Sequence, residues 1–147
     1  MTVIFSKKCE LGLQAVLFLS AQEEGKLFNA SEIAKELQVP KEFIAKVLQS
    51  LTDSGIVSSK KGKNGGFALA KAPDEIYLIQ IVKAIDGLEM FNNCVLGFKG
   101  CSVAEPCPVH NKWGKLREDA LKMLSEESLA DIKDKTIKKL ASIIGQS

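Results

Sequence analysis

The chain is poor in the residues that carry most enzyme chemistry. It has one histidine, His110, and one arginine, Arg117, in 147 residues. No nucleotide-binding glycine motif accompanies them, so an enzyme or an electron carrier has little to work with, and no catalytic residue is assigned. No apolar run approaches the roughly 20 residues that a membrane span needs. The longest, residues 11–21, follows Lys7-Lys8 as in a short signal peptide. However, Glu10 and Gln14 interrupt it, and Leu13, Val16, Leu17 and Ser20 recur at helical spacing. It reads as an amphipathic first helix. Four cysteines are too few for a disulfide-built mini-protein, and there is neither an internal repeat nor a low-complexity tract. The expectation is a cytoplasmic protein with reduced thiols, built as one domain or as a small domain with an interaction arm.

What is present is unevenly placed. Apolar residues make up 46% and charged residues 26%, and the net charge is only +2. Between Lys41 and Lys71, however, six lysines (41, 46, 60, 61, 63 and 71) face only Glu42 and Asp53, a local +4. A nearly neutral protein with one basic face suits local contact with phosphate.

The pattern along that basic region predicts helix, turn, helix and hairpin. Residues 5–23 read as a first helix. Asn29 or Ser31 caps a second, whose stripe is Ile33, Ala34 and Leu37. Val39-Pro40 breaks it, and Pro40 opens a third helix at its first position. That helix carries Phe43, Ile44, Val47, Leu48 and Leu51 and stops at Gly55. Residues 56–59 and 67–69 read as two strands around the turn KKGKNGG. A hairpin directly after the second helix of a helix-turn-helix is a winged helix. Such a unit reads double-stranded DNA with its recognition helix in the major groove and its wing along the backbone. The candidate contacts are Lys41, Glu42, Ala45, Lys46 and Gln49 on the helix, and Lys60, Lys61, Lys63 and Asn64 in the wing. Arg117 lies far downstream, so bidentate guanine reading by arginine is not available; Gln49, Asn64 or the lysines must serve.

Beyond the wing, residues 76–87 form a helix with Ile79, Val82 and Ile85 on its apolar face. Three of the four cysteines then fall close together: Cys94, Cys101 and Cys107, with His110 three residues later. The spacing C-x6-C-x5-C-x2-H sits among Gly97, Gly100, Pro106 and Pro108. Such a dense set of soft ligands in a polar loop suits a tetrahedral zinc site or an iron–sulfur cluster, and spacing alone does not separate them. Cys9 reads as a small buried hydrophobe. The last third is helical, with Trp113, Leu116, Ala120, Met123 and Leu124 at near-heptad spacing. Ser128 then caps a segment carrying Leu129, Ile132, Ile137, Leu140 and Ile144. A long apolar stripe beyond the winged unit needs a partner, and a second copy of the chain is the simplest. The fold class is mainly α with a small β wing. A winged helix-turn-helix occupies 1–90, a cysteine loop 91–108, and a dimerisation helix with a C-terminal helical segment 109–147.

In combination these motifs resemble the Rrf-two family of bacterial transcription regulators over nearly the whole chain. The resemblance rests on LGLQAVLFL (11–19), SEIAKELQVPKEFIAKVLQSL (31–51), Gly55-Ile56-Val57, GKNGGFALA (62–70) and CPVHNKW (107–113). It implies a homodimeric repressor or regulator of a palindromic operator, whose loop cysteines Cys94, Cys101 and Cys107 bind a 2Fe–2S or 4Fe–4S cluster. Loss or modification of that cluster, by redox change, nitric oxide or iron shortage, would alter DNA binding. His110 matches the fourth ligand of one branch and Glu10 that of another, where it reaches across the dimer; Cys9 is a third candidate. Lys61 and Lys63 stand where relatives often place arginine, and Ala45 where one branch has a discriminating glutamate. Operator sequence is therefore not implied. The alternative is a zinc-stabilised winged helix with no sensing role.

Overall fold

The computed structural model describes residues 5–91, 96 and 106–145. Helix α1 spans Lys7–Ser20, shorter at both ends than the apolar pattern predicts. Ser6 sets its start, because the Ser6 hydroxyl accepts from the Cys9 amide at 3.0 Å. Helix α2, Ala30–Leu37, begins with a reciprocal cap in which the Asn29 side chain accepts from Glu32 N–H and Glu32 accepts from Asn29 N–H. Asn29, not Ser31, is thus the cap. The turn to α3, Lys41–Asp53, passes through Gln38 in the left-handed region at φ 57°. Pro40 is the extended residue just before α3 rather than its first helical position. Its carbonyl still accepts from Ile44 at 3.4 Å. Gly55 (φ +82°) ends the helix, with Ile56 N–H returning to Leu51 O at 3.1 Å.

Strands β1 (Val57–Lys60) and β2 (Gly66–Leu69) pair antiparallel, Val57 opposite Leu69 and Lys60 opposite Gly66. Phe28 adds a bridge to Phe67, N–H to O at 3.1 Å and 2.7 Å in the two directions. That close approach requires Gly66. A Cβ there would lie 2.8 Å from the Phe28 backbone, and its φ is +154°. A single 3-10 turn at Pro73–Glu75 leads to α4, Leu78–Ile85, and another at Glu89–Phe91 follows it. Helix α5 spans His110–Glu126 and α6 spans Lys133–Gly145.

The main core lies between α1, α2 and α3. Leu11, Val16, Ile33, Ile44, Leu48 and Leu51 are all within 1% of fully buried. Ile76, Ile81 and Leu129 close it from below. A second cluster holds Cys9, Val82, Phe91 and Leu124, with Phe5, Ile79, Ala120 and Leu121 packed on it. The buried residues of α4 are therefore Ile81 and Val82, while Ile79 and Ile85 are half-buried. The apolar face predicted for this helix is wider than 79, 82 and 85, because α4 packs on α1 and α3 on one side and on α5 on the other. Gly12 lets α1 and α4 meet: a Cβ there would fall 2.1 Å from Ile85 Cδ1.

The C-terminal segment folds back onto this body. Leu129 N–H donates to Ile76 O at 2.9 Å, and Ser128 and Asp131 cap each other reciprocally. Helix α6 then lies against α1 and α2, where Gln38 Nε2 donates to Ile143 O at 3.3 Å. No helix among the described residues is long and apolar enough to cross a membrane. The result is a mostly helical fold, six helices among the described residues, with a small two-stranded wing, as the sequence pattern predicts.

Candidate DNA-reading surface and cysteine site

Helix α3 buries Ile44, Val47, Leu48 and Leu51 and turns its other side outward. Glu42, Ala45, Lys46 and Gln49 follow the i, i+3, i+4, i+7 spacing of one helix face, and all are exposed. Lys41 is exposed at the first position. Gln49 is engaged within the helix, its Nε2 donating to Asp53 Oδ1 at 2.9 Å. Lys60, Lys61, Lys63 and Asn64 are all exposed in and beside the wing turn, which Gly65 N–H closes onto Gly62 O at 3.1 Å. Strand β1 of the wing packs beside α3, the helix that precedes it. Phe43 departs from the expected core stripe: its ring is 53% exposed.

Of the cysteine site, Cys94 and Cys101 lie outside the described residues. Cys107 is half-buried, and His110, likewise half-buried, is the first residue of α5. His110 N–H donates to Cys107 O at 3.1 Å, so one tight turn carries both the thiol and the imidazole. A thiolate and an imidazole so close in the chain are donors that both zinc and an iron–sulfur cluster accept. Among the described residues alone, no group of three or more metal-ligating side chains assembles. Glu10 lies in the first turn of α1 with its side chain 12% exposed, 3.5 Å from Lys7 Nζ.

Cys9 is fully buried, and its position sets it apart from Cys107. Burial, then the adjacent Asp86 carboxylate and Glu10, push its thiol up to about 12. A thiol held protonated in an apolar cluster is a poor ligand and a poor nucleophile. Asp86 itself was not anticipated from the sequence. It accepts from Ser6 N–H at 2.9 Å and from the Ser6 hydroxyl, joining the end of α4 to the start of α1. An acidic residue just past a helix is unremarkable in a sequence, so no local signal marks this link across 80 positions.

Along α5, only Leu124 is buried, whereas Leu116 is 62% and Met123 56% exposed. With half-buried Trp113 and Ala120 they fall on a 3-4-3 spacing, an apolar stripe that runs up the helix.

Comparison with known proteins accords with these observations. Residues 5–135 match the model of the Rrf2 family, described as an iron-dependent transcriptional regulator. A protein of Aquifex aeolicus, strain VF5, described as an HTH-type transcriptional regulator, is 35% identical over 138 residues, covering 90% of this chain and 95% of its own. Among solved structures, CymR, the global cysteine regulator of B. subtilis, superposes with a TM-score of 0.70 at 20% identity, over 88% of this chain and 95% of its own. IscR of T. potens gives 0.69 at 23% identity, over 89% and 86%. At such identities the two structures are similar to this chain in fold.

Proposed function

The chain belongs to the Rrf2 family of transcriptional regulators, and from that premise we propose that it is a homodimeric sensor whose operator affinity is set by an iron–sulfur cluster. Cys94, Cys101 and Cys107 would hold the cluster, with His110 or Glu10 in the remaining position. Residues 1–90 read DNA, 91–108 carry the cluster ligands, and 109–147 pair two chains. When bound, the cluster supplies a centre that oxidants, nitric oxide or iron shortage can alter.

The observation that carries this reading is the turn from Cys107 to His110. Cys107 and His110, two of the proposed donors, share this turn at the head of α5, the helix that exposes Leu116 and Met123. The fold alone does not select a signal, since one structural neighbour is titled a global cysteine regulator and another is IscR. The dense cysteines of this chain favour a metal centre. A dimer reads a palindrome only when its two recognition helices are about one DNA turn apart, or a multiple of it. A change at the head of the pairing helix is well placed to alter that spacing.

Anaerobic purification followed by visible and Mössbauer spectroscopy tests the reading. A coloured protein with iron–sulfur signatures, and loss of both in Cys107→Ala, is expected. A colourless protein with stoichiometric zinc, whose DNA binding ignores metal removal, would overturn it. For the wing, Lys61→Ala should weaken binding to all duplexes alike and lower the slope of log affinity against log salt by about 1.

A further inference from the structure

The described residues expose five large hydrophobic side chains: Phe43, Leu96, Leu116, Met123 and Ile137. Four lie along or next to the segments proposed for pairing and cluster binding, or on α6. Phe43 alone sits on the DNA-reading side, in the first turn of α3, the end of a recognition helix that meets base edges. Its neighbours Ile44 and Val47 fill the core, while Phe43 joins neither core cluster. Phe43 thus stands outside both core clusters with about half of its surface open to solvent.

The surroundings indicate what the ring could meet. Glu42 precedes it and Lys46 lies one turn on, both exposed, and there is no arginine in α3 or the wing to grip guanine. In the major groove the one apolar feature of a base edge is the C5 methyl of thymine, which Phe and Ala side chains contact. We propose that Phe43, at the flank of the helix face that carries Glu42 and Lys46, is a specificity-determining residue that packs on a thymine methyl. The half-site would then carry an A·T pair, with thymine on the contacted strand, at the position facing the first turn of α3. The inference rests on the DNA-binding reading and adds a base to it.

The test uses full-length protein purified anaerobically. Wild-type protein first selects duplexes from a random-sequence pool. The selected duplex is then remade with each thymine in turn replaced by deoxyuridine, which removes only the methyl. At one thymine per half-site, wild-type affinity should fall about fourfold, the worth of one buried methyl group. Phe43→Ala should bind the thymine duplex more weakly and show no further loss with deoxyuridine, while Phe43→Leu should keep most of the response. The fold is checked by unchanged circular dichroism, as expected for a half-exposed ring.

Equal weakening of Phe43→Ala on thymine duplexes and on every deoxyuridine duplex, with wild type also indifferent to the substitution, would overturn the inference in favour of a backbone contact. Unchanged binding by Phe43→Ala would overturn it outright. Failure of the wild type to select any duplex would instead strike the DNA-binding reading beneath it, and the inference with it.

Discussion

Removing the Asp86 carboxylate should destabilise this fold by unpinning the start of α1 from the end of α4. Asp86 accepts from both the backbone N–H and the hydroxyl of Ser6, and Ser6 in turn caps α1 through the Cys9 amide. A hydrogen bond to a charged acceptor contributes about 1.5–3 kcal/mol, and one left unmade in a buried place costs a similar amount. Asp86 and Ser6 are only half-buried, so water recovers part of the loss. For two bonds, Asp86→Ala should lower stability by about 2–3 kcal/mol. At roughly 2–4 °C per kcal/mol for a chain of this size, Tm should fall by about 5–10 °C. Asp86→Asn keeps one acceptor oxygen and should fall between the two. Urea unfolding of reduced protein, followed at 222 nm, measures all three. A loss under about 0.5 kcal/mol for Asp86→Ala would show that the carboxylate does not hold α1 to α4, and the role assigned to it would be wrong.

Other outcomes follow from the same geometry. Alkylation mapped by mass spectrometry should modify Cys107 in native, metal-free protein and leave Cys9 intact until the chain unfolds, since burial holds the Cys9 thiol near 12; early Cys9 modification would refute this. Gly66→Ala should destabilise the protein by roughly 1–3 kcal/mol, read by thermal unfolding, because the new Cβ meets the Phe28 backbone at 2.8 Å. Leu116→Glu with Met123→Glu should yield monomers in sedimentation velocity while barely changing monomer helicity; an unchanged dimer would place the pairing surface elsewhere.

Much of the fold was legible because its signals are local. The Asn29 to Glu32 cap, the Val39-Pro40 break, Gly55 and the GKNGG turn each fix a boundary through backbone chemistry that a sequence displays. Phe43 belongs to the same apolar run as Ile44, yet it lies outside the core. One residue is a rotation of about 100° on a helix, enough to carry the ring out of the buried arc. The wide burial of α4 depends on α5 arriving from residues 110–126, and no periodicity within 76–87 reports a second neighbour. The Ser6 to Asp86 link was invisible for the same reason. Of the metal ligands, Cys107 and His110 could be placed, whereas Cys94 and Cys101 lie outside the described residues.

On the proposed reading, the second core cluster is the route by which the cysteine segment would act on the DNA-reading unit. Phe91, buried at 4%, stands just before residues 92–105, and Leu124, at 2%, lies in the helix that follows them. Both pack in one cluster with Cys9 and Val82, hence with the start of α1 and with α4. Both helices also pack on α3, as α2 and β1 do. On that reading, a shift of the segment's ends would reach the recognition helix through α1 and α4. The Asp86 to Ser6 bonds tie the end of α4 to the start of α1. On the same proposed reading, the DNA-reading unit would shift as a body relative to α5, and in a homodimer that shift would change the distance between the two recognition helices.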